Sequence, residues 1–282
     1  MSVQSTIEAS IASLSPAERR VAASIRANPS IVLTHTITEL GEASQTSVAT
    51  VVRFCRSVGL SGYSHLRMRL ATELGMEAAQ FGPTMNSGSD IRPDDTLAHA
   101  VQKIAGLEKL AIDETVKNID LDLLDDLATR LDQAPRVLCF GMGASHLVAQ
   151  DLCDKLIRID KNVSCPHDAH DAWAQAALVP PDAVVIGFSH SGETRETERF
   201  LINAREQGGT TVAITSVPDS PVAHVADIIV GTVARDTSLR AGAMVSRIAQ
   251  LCVVDILFVA VARLHYEETI GALQLASKAI RS

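Results

Sequence analysis

Along the first 77 residues, apolar positions recur at helical spacing in short blocks separated by polar breaks. Ser15 followed by Pro16 predicts a helix running to about Ala27, since Ser caps free amides and Pro is tolerated in the first helical position. Asn28-Pro29 stops it, because the residue before a proline is steered away from helical geometry. Ile37 to Ala43 predicts a second helix, Ser44 to Thr46 a turn, Ser47 to Val58 a third helix closed by Gly59, and His65 to Gly75 a fourth. From Ala78 to Asp95 the apolar period lapses into Gly, Pro, Ser, Asn and Asp, the composition of a linker. Helices near Thr96 to Asn118 and Leu121 to Leu131 follow.

From Arg136 onward the pattern changes. Short β-prone runs, Arg136 to Phe140, Asn162 to Cys165, Ala183 to Phe188, Thr210 to Thr215 and Asp227 to Val230, alternate with amphipathic segments. That alternation predicts a parallel sheet wrapped by helices on both faces. The expected architecture is α/β overall, an all-α domain over 1–77, a linker over 78–95, and a doubly wound α/β domain with a five-stranded parallel sheet and flanking helices over 96–282.

Composition supports this division. Hydrophobic residues are 46% and charged residues 21%, which excludes disorder for most of the chain. Aromatics are only 3%, and an apolar mass of Ala, Val, Leu and Ile suits helices on parallel strands better than a β-sandwich. Five cysteines form no CxxC pair and leave an odd count, as expected of reduced thiols in a cytosolic protein. Met1 to Ser5 shows no basic stretch leading into an apolar core, so no secretory signal is expected. The apolar run Ile248 to Ala262 contains Gln250 and Asp255 and falls short of the roughly 20 residues of a span, so it predicts a buried interface helix rather than a membrane segment.

The net charge of −8 argues against nucleic acid until its distribution is considered. Residues 1–77 carry seven arginines against six glutamates, and Thr46 to Leu70 holds Arg53, Arg56, Arg67 and Arg69 with no acidic residue. A local basic patch on an acidic protein is what phosphate contact at one end requires. At about 100° per residue, Val48, Val51, Val52, Cys55 and Val58 fall on one side of the third helix, and Ala49, Thr50, Arg53, Arg56 and Ser57 on the other. A short helix, a three-residue turn and this helix predict a helix-turn-helix, with Ser47, Ala49, Thr50, Arg53 and Arg56 as the DNA-contacting residues. The stretches Leu14-Ser15-Pro16-Ala17-Glu18-Arg19-Arg20-Val21, Ser47-Val48-Ala49-Thr50-Val51-Val52-Arg53-Phe54-Cys55-Arg56 and Gly59-Leu60-Ser61-Gly62-Tyr63 resemble the winged helix-turn-helix of RpiR-type bacterial regulators.

Two loops carry the second chemistry. The first predicted strand runs into Gly141-Met142-Gly143-Ala144-Ser145, where glycines let a backbone approach an anion and the following helix offers free amides. Gly-x-Gly-x-Ser also fits a dinucleotide turn, but the later Rossmann glycine is replaced by His146. The third strand ends in Ser189-His190-Ser191-Gly192-Glu193-Thr194, three hydroxyls before a helix with no lysine cluster, which suits a phosphate monoester on a neutral sugar. Gly187 to Ser191 approaches a nucleophile elbow, with Ser191 where the second Gly would stand. Both loops, together with Ala213-Ile214-Thr215-Ser216 and Ser246-Arg247-Ile248-Ala249-Gln250-Leu251, resemble the sugar isomerase (SIS) domain. The resemblance implies an effector site of Gly143, Ser145, Ser189, His190, Ser191 and Thr194.

Cys165-Pro166-His167-Asp168-Ala169-His170-Asp171 gathers metal-type ligands, but in a spacing that fits no standard site, so no metal is expected; the resemblance places His170 near the sugar pocket. Arg235-Asp236-Thr237 stands where SIS enzymes carry a Glu, a departure that weakens a catalytic reading. The resemblance implies a cytoplasmic transcriptional regulator without cofactor or catalytic residues, a homodimer or homotetramer that binds operator double-stranded DNA and a sugar-phosphate effector. A rival reading is an SIS isomerase or etherase using Glu193 or His170 for proton transfer. The arginine-bearing helix weighs against it, since such an enzyme has no need of one.

Overall fold

A computed structural model of the chain describes residues 2–11, 13–81, 91, 95–234 and 243–281. The chain divides into two compact units, Met1–Glu114 with Val233–Val245, and Thr115–Thr232 with Ser246–Ser282.

The first unit is built of α1 (Val3–Ser10), α2 (Pro16–Ala27), α3 (Ile31–Thr34), α4 (Ile37–Ala43), α5 (Val48–Ser57), α6 (Tyr63–Phe81) and most of α7 (Leu97–Asn118). Its described residues hold no strand, so the wing implied by the family resemblance is not a β-hairpin among them. The predicted linker begins later than expected, because α6 continues to Phe81, and 82–90 with 92–94 lie outside the described residues. Caps set the helix starts. Ser15 and Glu18 form a reciprocal capping box on α2, and Thr36 with Glu39 repeats it on α4. Glu18 also receives the Ser57 hydroxyl at 2.9 Å, joining the end of α5 to the start of α2. The hydroxyl of Ser15, then that of Ser57, holds the Glu18 carboxyl below its ordinary pKa. The core gathers Ile7, Val21, Ile25, Leu40, Val51, Phe54, Cys55, Leu66 and Leu70, all fully buried.

The second unit centres on a parallel sheet of order β2-β1-β3-β4-β5, with β1 Val137–Gly141, β2 Val163–Ser164, β3 Val184–Phe188, β4 Thr210–Thr215 and β5 Ile228–Gly231. Successive strand residues alternate between two cores. Val137, Cys139, Val184 and Ile186 pack with α8 (Leu121–Gln133), α9 (Ala144–Ile157) and α13 (Met244–Leu264). Leu138, Phe140 and Val185 pack with α10 (Ala169–Ala176), α11 (Arg195–Arg205) and α12 (Pro221–His224). The doubly wound five-stranded sheet is therefore as expected, closed by a last helix, α14 (Tyr266–Arg281), that the apolar pattern did not reveal.

The apolar run near the C-terminus forms a longer helix than predicted. By length and composition α13 is long enough to cross a membrane, but half of it is buried within the fold. Val253, Val254, Leu257 and Val261 lie in the sheet core, and Asp255 pairs with Lys155 at 2.9 Å, so this is a core helix. Its outward apolar residues are Val259 and Leu264 rather than the buried Val254. Burial raises all five thiols, with Cys55 and Cys153 pushed up to about 11, Cys165 to about 12, and Cys139 and Cys252 also above the ordinary value.

Candidate functional site

In the first unit, α5 packs on α2, α4 and α6 after a tight turn. A Cβ on Gly41 would stand 3.2 Å from the Thr46 carbonyl, and Gln45 takes a φ of 50°, so the turn needs both the small residue and the left-handed one. Ser47 caps the helix by accepting from the Thr50 amide, and Ala49, Arg53 and Arg56 are exposed. The buried face is rotated from the expected one. Thr50 is only 4% exposed and Phe54 is fully buried, whereas Val48 is 40% exposed and Val52 half-buried. The reason is size: one phenylalanine removes more apolar area from water than either valine and sets the rotation of the helix. Thr50 thus supports rather than protrudes, its Oγ1 accepting from Arg53 Nη2 at 3.0 Å. Val48, placed on the packed side by the valine pattern, is instead exposed at the start of α5.

In the second unit, β1 and β3 are neighbours in register Gly141↔Phe188, so the loops that follow them emerge side by side. The sheet order reverses between these two strands, the position at which open α/β folds leave a crevice. Gly141 has no room for a side chain, since a Cβ would lie 2.9 Å from Ser145 backbone atoms. Gly143 stands at the N-cap of α9 with φ 58° and no side chain to cap it. Thr194 stands at the N-cap of α11, also without a side-chain cap, its hydroxyl 2.9 Å from that of Ser189. By contrast, Asp120, Asp168 and Ser220 cap α8, α10 and α12 with their side chains. Beside the crevice, then, α9 and α11 both begin without a side-chain cap; Ser145 and His146 turn their amides to the Met142 and Gly143 carbonyls, while the start of α11 keeps amides that, with the helix dipole, favour an anion.

The second loop is tightly braced. Ser189 is 2% exposed, and its Oγ accepts from the Gly192 amide at 3.1 Å. Ser191 Oγ accepts from the Glu193 amide at 3.3 Å. Ser216 donates its hydroxyl to the His190 carbonyl at 2.8 Å, and Val222 donates its amide to the Gly192 carbonyl at 3.0 Å. Ser145, in the first turn of α9, donates to Gln250 Oε1 on α13 at 3.4 Å. Ser216, Ser220 and Gln250 were not among the predicted site residues. The available signal was Gln250 standing between the apolar residues Ile248, Ala249, Leu251 and Cys252.

The metal-type cluster is dispersed into local roles. Asp168 accepts the amides of His170 and Asp171, the His167 ring lies tilted against His146 with centroids 4.5 Å apart, and the exposed His170 ring meets Trp173 edge-on at 5.2 Å. Burial, then the neighbouring His167, holds His146 below its ordinary pKa. Among the described residues no three His, Cys, Asp or Glu side chains converge on a metal position. Arg235-Asp236-Thr237 lies outside the described residues.

Comparison with known proteins matches residues 1–77 to the helix-turn-helix domain of the rpiR family and residues 130–260 to the SIS domain. An uncharacterised HTH-type transcriptional regulator of Caldanaerobacter subterraneus subsp. tengcongensis is 35% identical over 268 residues, 95% of this chain and 93% of the relative. YbbH of Bacillus subtilis, also an uncharacterised HTH-type transcriptional regulator, is 34% identical over 95% of this chain and 93% of its own. Among solved structures, the Vibrio vulnificus NanR protein complexed with ManNAc-6P matches with a TM-score of 0.61 at 27% identity, covering 99% of this chain and 97% of that one.

Proposed function

The chain belongs to the RpiR family of helix-turn-helix transcriptional regulators with an SIS domain, and from that premise we propose that a sugar phosphate, bound between the β1 and β3 loops, sets its affinity for operator DNA. The observation that carries the proposal is the pair of adjacent, uncapped helix ends with Ser145, Ser189 and Thr194 beside them. Gly143, Ser145, Ser189, His190, Ser191 and Thr194 form the effector site in this reading, and ManNAc-6P in a structure 27% identical supports the ligand class. Residues 1–77 are the reader, 78–95 the link and 96–282 the sensor, acting in the cytoplasm without a catalytic step.

The test is a gel shift of the full chain with operator DNA across a panel of sugar phosphates, with product analysis by NMR. One sugar phosphate is expected to change operator affinity by tens-fold, the size of a coupling of ~1 to 3 kcal/mol, and to be recovered unchanged. Turnover at an enzymatic rate would replace the sensor by an enzyme.

At the DNA end, Ser47, Ala49, Arg53 and Arg56, with Thr50 behind them and Val48 added, form the reading surface. Arg53→Ala is expected to weaken operator binding by on the order of tenfold and to reduce its salt slope by about one unit, without altering the helical circular dichroism. An unchanged salt slope would remove Arg53 from the phosphate contacts.

A second copy of the chain is proposed on the outward side of α13, where Val259 is 55% and Leu264 42% exposed. Val259→Asp is expected to shift sedimentation from dimer to monomer and to weaken operator binding through lost bivalency. Wild-type protein that sediments as a monomer contradicts this.

A further inference from the structure

Gln250 sits on α13 with 1% of its surface exposed. Its Oε1 accepts the Ser145 hydroxyl at 3.4 Å, while its Nε2 is sealed from solvent and meets no acceptor among the described residues. A buried amide N–H without an acceptor is costly, and native folds keep few of them. The orphaned donors lie one amide group away from a serine in the loop proposed to hold a phosphate.

Ser145 has a single proton. While that proton points at Gln250 Oε1, it is not available to a phosphate oxygen, which can only accept. Turning the Gln250 amide by half a turn exchanges its oxygen and nitrogen at nearly the same positions. Nε2 then donates to Ser145 Oγ, and the Ser145 proton is released toward the anion. The oxygen moves to the place the nitrogen held, where an under-satisfied carbonyl is tolerated better than an orphaned N–H.

We propose that Gln250 is the positioning residue that sets the donor direction of Ser145: with its amide turned so that Nε2 donates to Ser145 Oγ, the Ser145 proton faces a sugar phosphate. The inference rests on the reading of the β1 and β3 loops as the effector site. It goes beyond that reading by giving α13, a core helix outside both loops, a part in ligand recognition.

The test is calorimetric titration of the full chain with ManNAc-6P, glucose 6-phosphate, ribose 5-phosphate and inorganic phosphate, in wild type, Ser145→Ala, Gln250→Met and the double variant. Gln250→Met keeps the length and buries an apolar group, with Gln250→Leu as a second form should Met perturb the fold. Affinity is expected to fall about five- to tenfold in Gln250→Met, as for one lost hydrogen bond to a charged ligand's donor. The Tm of the free protein is not expected to fall, because the substitution also removes an unsatisfied donor. The double variant is expected to bind no more weakly than Ser145→Ala alone, since Gln250 acts through Ser145. A lowered Tm with unchanged affinity in both Gln250 variants, or additive losses in the double variant, overturns the proposal while leaving the loop site standing. Binding that is absent in wild type or indifferent to Ser145→Ala overturns the site itself and this inference with it.

Discussion

Gly192→Ala is expected to reduce sugar-phosphate affinity by about a hundredfold or more. Gly192 holds a φ of +67°, and a Cβ there would overlap both Oγ and Cβ of Ser220. Ser220 has nowhere to go, being 2% exposed and engaged as the cap of α12 through the Ala223 amide. The left-handed backbone adds roughly 1–2 kcal/mol of strain for any residue with a Cβ. The loop must therefore shift, and with it the Gly192 amide that holds Ser189 Oγ and the Ser189 hydroxyl beside Thr194. In the proposed site these hydroxyls would make two hydrogen bonds to a charged ligand, each contributing about 1.5–3 kcal/mol, and both would be misplaced together. Calorimetry against the effector measures the loss. Gly208→Ala is the control: its φ is +83° but its Cβ would meet nothing within 4 Å, so it bears the strain without the collision and should leave binding intact. Wild-type affinity in Gly192→Ala would show that the Ser189 to Thr194 loop does not hold the ligand.

Phe54→Ala is expected to destabilise the N-terminal unit by about 3–5 kcal/mol, the range for removing a fully buried phenylalanine from a packed core. Domains are stable by only about 5–15 kcal/mol, so operator binding should be lost or strongly temperature-dependent. Effector affinity should persist, because Phe54 belongs to the core of the other unit. Denaturant titration followed by circular dichroism, with calorimetry in parallel, separates the two effects. Val52→Ala, at a half-buried position, should cost far less, within about 1 kcal/mol. Equal losses at the two positions would mean that α5 is rotated as the valine pattern alone suggests.

That rotation shows where the sequence stopped being legible. Counting small apolar residues around α5 weighs every valine alike, but burial follows area, and the helix turned to bury Phe54. Helix starts were readable where a local cap precedes a sustained apolar period, as at Ser15 and Ser47, because the cap and its amide lie within three residues. The strands and their parallel pairing were readable for a similar reason, since most β-prone runs are separated by an amphipathic segment; the order β2-β1-β3-β4-β5 came only with the fold. By contrast, α1 is a Ser- and Thr-rich segment tied down by distant partners. Its Val3 amide donates to Glu73 Oε2 at 2.6 Å and its Ser5 hydroxyl to Glu114 Oε2 at 2.6 Å. No local pattern announces such contacts. The same holds at the candidate site: the glycine and hydroxyl loops are local motifs, whereas Gln250 meets Ser145 across a separation of 105 positions.

The buried thiols have a consequence for what this regulator can answer to. Oxidants attack the thiolate, and a sensor cysteine is an accessible one whose pKa is drawn down toward neutrality. Here burial drives every thiol the opposite way, to about 11 at Cys55 and Cys153 and about 12 at Cys165, so near neutral pH they stay protonated. At these five positions peroxide therefore finds few thiolates to attack in the folded chain, which sets them apart from a sensor cysteine; the exposed thioethers of Met68, Met76 and Met142 are the more accessible sulfur.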